Sequence, residues 1–331
     1  MADVPFVSVI IPVYNESGFI GPCIEGFQQQ TYPGASIEIL VVDGMSNDGC
    51  RDEVARYIVA DRRIRLIDNP KRVAAAAANE GIRHAHGEVL CFLSAHGVPD
   101  PEYVATSVRL LYETGAGGIG GRYLHIGLDP VSKAIGLAMS SPFGMASPHR
   151  SAGEACEADT ISHPTFRRAV FDTVGGYNED LLRNEDYELN YRVRCAGFTL
   201  VFSPEVSSVY RPRSSLRSLA KQFYAYGVGK AAVMKMHPRS IRPRHLVPPL
   251  AALGLAGTPL LLLAGPGRVV VGVGAAAYAT VIVAAVAKAR PWRHGARLST
   301  FVLSLPLMHS TWGAGLLAGL ARKPAHRGAS R

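Results

Sequence analysis

Short apolar runs alternate with longer stretches of helical periodicity up to about residue 125 of this 331-residue chain. Each apolar run ends in turn-forming or polar residues, as expected for a buried strand that delivers a loop to the edge of a sheet. The predicted strands are Val7–Val13 and residues 37–42, 64–67 and 88–93. The predicted helices lie near residues 18–30, 48–61, 71–85 and 101–114. This alternation predicts an α/β fold with a largely parallel sheet and right-handed crossovers.

The pattern weakens between residues 125 and 160, which are rich in Ser, Pro, Gly and Met. We expect a long loop there, either a lid over an acceptor site or a variable insertion. Helical periodicity returns at residues 211–236, where Leu219 and Phe223 are interleaved with Arg217 and Lys221. Such a segment is typical of a basic amphipathic helix in a membrane interface, and the alternative is a surface helix packed on the preceding domain.

Three windows without charged residues follow, at 246–267, 269–287 and Leu298–Ala321. Each is long enough for the roughly 20 residues that a membrane-spanning helix needs. We therefore divide the chain into an α/β domain, an interfacial helical region, and a membrane region with two to three spanning helices. The three parts are residues 1–210, 211–245 and 246–331. Basic residues before the first window and after the second predict that both of these flanks lie in the cytoplasm. The tail after the third window is also basic, although a third spanning helix would place it outside. The third segment is therefore re-entrant, or its tail crosses the membrane despite its charge.

Charge and cysteine content narrow the class of protein. The net charge is +9 and the pI is about 9.4, yet only 18% of the residues are charged. A soluble nucleic-acid-binding protein needs denser basic clusters, so no nucleic-acid partner is expected. The basic balance suits the anionic cytoplasmic leaflet of a membrane. The five cysteines are odd in number and widely spaced, which argues against a disulfide framework or a zinc site and fits a reducing cytosol.

Polar side chains follow the first two predicted strands. Pro12, Tyr14 and Glu16 stand at the end of the first strand, and Asp43 stands at the end of the second. Because the carboxyl ends of parallel strands meet at one edge of a sheet, these residues can form a single ligand site. Asp43 can hydrogen-bond a nucleobase or a ribose, or it can only shape a tight turn. Asp48 fits a helix cap better than a ligand.

An adjacent acid pair, Glu185 and Asp186, stands at the head of a predicted amphipathic helix. Acids are common at helix N-termini for electrostatic reasons alone, so the pair by itself is weak evidence for a catalytic site. His163, which precedes the FRR segment, could line an acceptor cleft.

Three segments together carry a resemblance to a known family. They read VSVIIPVYNE at 7–16, VVDGMSNDG at 41–49 and NEDYELNYRVRCAGF at 184–198. They resemble the sugar-nucleotide and catalytic elements of the family 2 glycosyltransferases, which have the GT-A fold, and the resemblance spans roughly residues 6–230. It implies that Asp186 is the general base of an inverting transfer, while Glu185 orients the acceptor or the helix start. The positions of Glu188, Arg192 and Gly197 reproduce the spacing of the family.

The chain departs from the family at the segment that handles the donor diphosphate. The family usually carries Asp-x-Asp there, which binds nucleotide and a divalent metal, whereas this chain has Ser94 and His96. Members of the succinoglycan type resemble the chain more closely, with Asp-Ala-His at this point and a similar QFYAYGVGK segment at 222–230. The resemblance implies that Ser94 lies in the donor site and that His96 binds Mn²⁺ or Mg²⁺; the alternative for His96 is a plain polar strand end. Arg72 and Asn79 resemble positions near the diphosphate, with a solvated helix as the alternative.

The apolar windows and their basic flanks predict a multi-pass protein of the cell membrane whose first domain faces the cytoplasm, and the resemblance implies that this domain is an enzyme. It would move a sugar from a nucleotide-sugar donor to a lipid-linked polyprenyl acceptor, during synthesis of a cell-surface polysaccharide or glycan. Two alternatives stay open: a polyprenyl-phosphate glycosyltransferase, and a catalytically silent sugar-nucleotide-binding subunit, which Ser94 favours. A processive synthase is disfavoured because the Gln-x-x-Arg-Trp element of such enzymes is absent at residues 222–226.

Overall fold

The computed structural model describes residues 4–144, 153–263 and 265–322, and the chain forms two compact units. The first unit comprises Met1–Leu124 and Ala152–Tyr210, and the second comprises His125–Ser151 and Arg211–Arg331. The border after Tyr210 lies where the hydropathy pattern changes. The internal segment 125–151 belongs to the second unit, which the division by sequence did not anticipate.

A mixed β-sheet forms the first unit, with nine strands among the described residues. They are β1 (Val7–Val13), β2 (Ile37–Asp43), β3 (Ile64–Asp68), β4 (Val89–Phe92), β5 (Gly97–Pro99), β6 (Gly118–His125), β7 (Cys156–Glu157), β8 (Thr165–Arg167) and β9 (Leu200–Tyr210). Their order across the sheet is β3-β2-β1-β4-β8-β6-β9-β5, with β7 paired to β9. The strands β3, β2, β1 and β4 are parallel, as predicted, whereas β8 runs antiparallel to β4 and β5 runs antiparallel to β9.

Helices cover both faces of the parallel half of the sheet. Those of the first unit are α1 (Ile20–Gln28), α2 (Cys50–Ala60), α3 (Ala74–His84), α4 (Tyr103–Thr114), α6 (Arg168–Val174) and α7 (Glu185–Cys195). Successive side chains of a strand point to opposite faces, so Val9 and Ile11 of β1 enter one hydrophobic core and Ile10 enters the other. Small residues bring α3 close to β1: a Cβ on Gly81 would lie 2.3 Å from Cγ2 of Ile10.

Glu38 of β2 is a buried acid at the amino-terminal edge of the sheet. Its Oε1 accepts hydrogen bonds from the Ser8 hydroxyl and from the backbone N–H of His86, both at 2.6 Å. Its Oε2 lies 3.3 Å from Nη1 of Arg65. Burial alone would raise the pKa of Glu38, but the hydrogen bonds from Ser8 and His86 outweigh burial and hold the pKa below its ordinary value. The carboxylate therefore ties β1, β2 and the loop before β4 together.

We expect Glu38→Gln to lower the free energy of unfolding by about 2 kcal/mol at neutral pH, because hydrogen bonds to a charged group contribute about 1.5–3 kcal/mol. The pKa of Glu38 is lower in the folded chain than in the unfolded chain. Its contribution is therefore complete above the unfolded-state value of about 4.3 and is lost as the pH falls through the folded-state pKa. Unfolding of both full-length proteins in detergent over this pH range measures the effect, with the exposed Glu102→Gln as control. A penalty that does not shrink as the pH falls would contradict it.

The second unit is helical and corrects the predicted loop at 125–160. Its helices are α5 (Pro130–Ser140), α8 (Leu216–Met236), α9 (Val247–Leu261), α10 (Gly265–Ala289) and α11 (Leu298–Ala321). Asp129 caps α5 by accepting hydrogen bonds from the N–H groups of Val131 and Ser132, and Pro130 occupies the first turn. Two of the residues that suggested a loop, Pro130 and Ser132, therefore belong to the start of a helix. Residues 145–152 of the predicted loop lie outside the described residues.

The apolar face of α8 packs on α11. A Cβ on Gly227 would lie 2.1 Å from the carbonyl oxygen of Trp312, so glycine is needed for this close approach of the two backbones. The ammonium group of Lys235 donates hydrogen bonds to the carbonyl oxygens of Gly319 and Arg322, where the end of α11 leaves carbonyls without helical partners. The predicted amphipathic helix therefore buries its apolar side against the last helix of the chain.

The three apolar windows form helices of unequal length. The first becomes α9, which has only 15 residues, contains Pro259 and is shorter than the roughly 20 residues of a spanning helix. Two candidate spans remain among the described residues, Gly265–His294 and Leu298–Ala321, with mean hydropathies of 2.3 and 1.3. By length and composition, these two long apolar helices suggest a membrane anchor.

Candidate active site

The carboxyl ends of β1 and β2 meet at one edge of the sheet, as predicted. The backbone N–H of Asn15 donates to the Ser46 hydroxyl at 2.8 Å, and the N–H of Asn47 donates to Oδ1 of Asn15 at 3.0 Å. Asn15 and Met45 have left-handed φ angles of 52° and 63°, a region that few residues other than glycine and asparagine adopt. Hydrogen bonds between the two loops thus hold two strained backbone positions at this edge.

Asp43 is only 1% exposed and its carboxylate is largely engaged within the protein. It accepts hydrogen bonds from the N–H and the hydroxyl of Ser46 and from Nη1 of Arg51, the last at 2.6 Å. Arg51 also pairs with Asp68 at 2.9 Å and so joins the ends of β2 and β3. This geometry matches the alternative in which Asp43 shapes the turn. Arg51, which has only hydrogen-bond donors and is 34% exposed, was not found from the sequence, where it looks like an ordinary residue of the first turn of a helix.

Three neighbouring residues, Tyr14, Pro12 and Asp48, differ in their exposure and in their contacts. Tyr14 is 47% exposed, and its ring lies against Gly44, where a Cβ would come within 3.1 Å of the ring. Pro12 lies within β1, opposite Val42, and is half-buried. Asp48 accepts hydrogen bonds from the N–H groups of Ser17 and Cys50, which lower the pKa of its carboxyl. The N-cap of α2 is Gly49, so Asp48 stands one residue before the cap position and binds the N–H of the first helical residue.

Glu16 and His96 approach each other at the same edge. Glu16 follows β1 and His96 lies between β4 and β5, and these strand ends bring Oε1 of Glu16 to 3.5 Å from Nδ1 of His96. Each side chain is about one-third exposed. The His96 ring makes an edge contact with Tyr210, with 5.5 Å between centroids. The predicted metal ligand therefore has a carboxylate beside it, from a residue that the sequence assigned to the nucleotide.

The side chain of Ser94 is hydrogen-bonded to His163, a contact that the sequence did not predict. The Ser94 hydroxyl lies 3.0 Å from Nε2 of His163, and Nδ1 of His163 lies 3.1 Å from the hydroxyl of Ser208. His163 has a left-handed φ of 47°, its carbonyl accepts the Tyr103 hydroxyl, and its ring meets Tyr123 edge-on at 4.4 Å. Several contacts thus hold a strained residue in place. The role of Ser94 in the donor site stays a prediction, and its hydroxyl is already hydrogen-bonded to a histidine.

The side-chain amide of Asn79 is hydrogen-bonded within the protein, so Asn79 is not an exposed helix residue. Its amide donates hydrogen bonds to the carbonyl of Tyr177 and to Oε1 of Glu179, both at 2.9 Å, and accepts one from the N–H of Tyr177. Asn79 therefore fastens α3 to the segment before α7. By contrast, Arg72 is exposed, has a φ of 56° and forms no ion pair among the described residues, so its guanidinium can contact an anionic ligand.

The acid pair stands at the start of α7. Burial, followed by the charge of Asp186, raises the pKa of Glu185 to about 7. Oδ1 of Asp186 accepts the N–H of Tyr187 at 2.7 Å. Burial raises the pKa of Tyr177 well above its ordinary value, and the charges of both acids raise it further. The Tyr177 ring lies 5.5 Å from that of Phe92, the last residue of β4, so the segment that leads to the acid pair packs beside the carboxyl end of that strand.

An ion pair between Glu188 and Arg192, one turn further along α7, explains the spacing of these two residues in the sequence. Nε and Nη2 of Arg192 lie 2.8 and 2.9 Å from the carboxylate of Glu188, which is 2% exposed. Arg192 also donates hydrogen bonds to the carbonyl oxygens of Val174 and Gly176, at 2.6 and 2.7 Å. The pair therefore fastens α7 to the segment that leads to Tyr177 and the acid pair.

The side chains at this edge fit a divalent cation that is shared with a phosphate ligand. Within the described ranges, no group of three or more His, Cys, Asp or Glu side chains could hold a metal ion. Glu16 and His96 supply one oxygen and one nitrogen donor. Mg²⁺ commonly takes one or two protein ligands and completes its coordination with phosphate oxygens and water. The two residues present are sufficient for that kind of site.

A separate groove lies at the opposite, amino-terminal edge of the sheet. It has a volume of about 510 Å³ and is lined by Phe6, Gly34, Ala35, Ile37, Glu38, Arg62, Arg63 and Arg65. Two of its arginines are already paired, Arg63 with Asp61 at 2.7 Å and Arg65 with Glu38 at 3.3 Å. The groove contains none of the predicted site residues, so the candidate active site is the carboxyl edge.

Comparison with known sequences finds the family that the three sequence segments resemble. The model of the family described as glycosyl transferase family 2 matches residues 8–174. Succinoglycan biosynthesis protein ExoA of Rhizobium meliloti (strain 1021) is 31% identical over 93% of this chain and 92% of its own length. A dolichyl N-acetyl-α-D-glucosaminyl phosphate 3-β-D-2,3-diacetamido-2,3-dideoxy-β-D-glucuronosyltransferase of Methanococcus voltae is 27% identical over 70% of this chain and 74% of its own.

Solved structures show the same fold at low sequence identity. The mannosyltransferase PcManGT from Pyrobaculum calidifontis, in complex with GDP-Man and Mn²⁺, has a TM-score of 0.68 at 20% identity, over 96% of this chain and 87% of its own. S. aureus TarS 1–349, in complex with UDP-GlcNAc, has a TM-score of 0.52 at 16% identity, over 68% of this chain and 66% of its own. The first likeness extends over both units of the chain.

Proposed function

Because the chain belongs to glycosyl transferase family 2, we propose that it transfers a sugar, with inversion, from a nucleotide-sugar donor to a lipid-linked acceptor. It is a nucleotide-sugar-dependent glycosyltransferase with the predicted α/β fold of the GT-A type. The observation that supports the proposal is the acid pair Glu185–Asp186 at the start of α7, after a segment that packs beside the carboxyl end of β4. The name of the succinoglycan relative supports a role in polysaccharide or glycan biosynthesis.

The acid pair provides the base that an inverting transfer requires. Asp186 accepts the proton of the acceptor hydroxyl while that oxygen attacks the anomeric carbon, and the bond between sugar and diphosphate breaks as the nucleoside diphosphate leaves. Glu185, whose pKa is raised to about 7, orients the acceptor hydroxyl by accepting a hydrogen bond in its ionised form. A bound divalent cation supplies positive charge that neutralises the leaving diphosphate.

The donor site is proposed to extend along the ends of β1, β2 and β4. The exposed Tyr14 ring offers a face on which a nucleobase can stack. Asp43 supports the adjacent turn through Ser46, and Arg51 offers N–H donors to acceptor atoms of the base or ribose. Arg72 can add positive charge near the diphosphate. The other proposed donor residues are Pro12, Glu16 and Ser94.

The second unit and the name of one relative support the proposed location and acceptor. The helices α10 and α11 are long and apolar enough to anchor the chain in a membrane. We propose a multi-pass protein of the cell membrane whose first unit, Met1–Leu124 and Ala152–Tyr210, faces the cytoplasm, with an interfacial region at 211–245 and a membrane region at 246–331. The printed name of the Methanococcus voltae relative includes a dolichyl-linked sugar phosphate, which supports a lipid-linked polyprenyl acceptor for this chain.

We expect membranes that contain the full-length protein to transfer radiolabel from one UDP- or GDP-sugar to organic-extractable lipid when Mn²⁺ or Mg²⁺ is present. The donor is first selected by a thermal-shift screen, because a bound ligand raises the apparent stability by mass action. Lipid phosphate alone and lipid-linked sugar are then compared as acceptors. This comparison distinguishes a polyprenyl-phosphate glycosyltransferase from an enzyme that extends a lipid-linked sugar. Absence of transfer from every UDP- and GDP-sugar would refute the proposed activity.

A silent sugar-nucleotide-binding subunit is the second candidate, and one observation favours it. Ser94 stands where the family usually has an acid, and its hydroxyl is bound to His163. In that case nucleotides would bind equally well with and without Mn²⁺, and no acceptor would support turnover. Donor binding and transfer measured on the same preparation distinguish the two candidates.

A further inference from the structure

We propose that Glu16 and His96 are the two protein ligands of the divalent cation, and that Ser94 is not a ligand. The inference rests on the proposed function and specifies how this chain holds a donor diphosphate. It assigns a metal-binding role to Glu16, which the sequence places in the nucleotide site. It also explains how the chain can lack an acid at position 94 and still bind a cation.

The position of Glu16 supports this role. Its Oε1 lies 3.5 Å from Nδ1 of His96, so one small cation can contact both atoms after only a small shift of the side chains. Both side chains are about one-third exposed and can be reached by a ligand from solvent. Among the described residues, the only ion pair that Glu16 forms is the one with His96. The pair thus supplies one negative charge and one neutral nitrogen donor.

Ser94 has a different set of contacts. Its hydroxyl lies 3.0 Å from His163, whose other ring nitrogen lies 3.1 Å from the Ser208 hydroxyl. His163 is fixed by its left-handed backbone and by the hydrogen bond from Tyr103. An aspartate at position 94 would therefore place its carboxylate beside the imidazole of His163. We expect Ser94→Asp to form a pair with His163 and to tighten cation binding by less than about 3-fold, which is less than the roughly 10-fold or more lost with a true ligand.

The donor set predicts a preference between metals. Imidazole favours transition metals, whereas carboxylate and water ligands suit Mg²⁺ as well as Mn²⁺. A site with one imidazole and one carboxylate should therefore bind Mn²⁺ more tightly than Mg²⁺. Exchange of the imidazole for an oxygen ligand in His96→Asp should reduce that preference.

The experiment measures Mn²⁺ affinity by electron paramagnetic resonance on the full-length protein in detergent, with saturating GDP or UDP. We expect Glu16→Gln and His96→Ala each to weaken Mn²⁺ binding by about 10-fold or more, whereas Ser94→Ala stays within about 2-fold of wild type. Matched controls are Glu102→Gln and His84→Ala, because both residues are exposed and lie away from the pair. We also expect the ratio of Mg²⁺ to Mn²⁺ dissociation constants to fall in His96→Asp.

The outcomes separate this inference from the proposed function. If wild type binds neither GDP nor UDP, both fail. If nucleotides bind but Glu16→Gln retains wild-type Mn²⁺ affinity, the metal assignment of Glu16 is wrong while the proposed activity stands. If Ser94→Ala loses affinity as strongly as His96→Ala, then Ser94 is a ligand and the contact with His163 is broken in the complex.

Discussion

Asp186→Asn should lower kcat by about 100-fold or more while the dissociation constant of the donor stays unchanged, since general-base catalysis contributes about 10²–10⁴-fold. The substitution keeps the size of the side chain and its ability to accept the N–H of Tyr187, but it removes the basic carboxylate. Single-turnover transfer and calorimetric donor binding, measured on the same preparation, separate the chemical step from binding.

Glu185→Gln is the matched control for this substitution. Ionised Glu185 accepts a stronger hydrogen bond from the acceptor hydroxyl than the neutral carboxyl does, so wild-type turnover should rise with pH through about 7 and level off above it. This inflection should disappear in Glu185→Gln, which should retain more activity than Asp186→Asn. The assignment is reversed if Asp186→Asn turns over almost normally while Glu185→Gln is inactive.

The second large effect is expected at Arg192. Arg192→Ala should lower the free energy of unfolding by about 3–5 kcal/mol, because it leaves the buried carboxylate of Glu188 without its partner. It also removes the hydrogen bonds to Val174 and Gly176 that hold the segment before the acid pair. Chemical unfolding of the full-length protein in detergent measures the loss.

A double substitution tests the electrostatic cause. Glu188→Leu combined with Arg192→Leu removes both charges and should be less destabilised than Arg192→Leu alone, since no unpaired charge remains buried. If the two single losses simply add in the double variant, then the loss comes from packing and from the backbone hydrogen bonds, and the ion pair contributes little.

Local patterns predicted the parallel half of the sheet because each strand there is a short apolar run that ends in polar residues. The same reasoning predicted that Tyr14 and Asp43 lie at one edge of the sheet, because β1 and β2 run parallel and both residues stand at strand ends. The contacts of Asp43 could not be predicted, because its partner Arg51 comes from α2 and is itself held by Asp68 at the end of β3. The hydrogen bond between Ser94 and His163 likewise joins residues from distant parts of the chain. Sequence identifies which residues stand at an edge, whereas long-range contacts decide which of their atoms are available.

Hydropathy was a less complete guide in the second unit. It found the bounds of α11 correctly, because that helix is apolar throughout its length. It did not show that α9 is too short to span, since helix length depends on where the chain turns. It also missed α5, which has few large apolar residues and begins with a proline.

The packing of α5 and α8 on α11 has a consequence for biosynthesis. The helix α11 begins about 160 residues after the end of α5, so it leaves the ribosome well after both α5 and α8. At typical translation rates, α5 must wait roughly 10–30 s for its partner. During that interval the buried faces of α5 and α8 need a temporary cover, from the translocation machinery, a chaperone or lipid. A chain that stops before Leu298 lacks α11, so the faces of α5 and α8 that pack on this helix would stay uncovered.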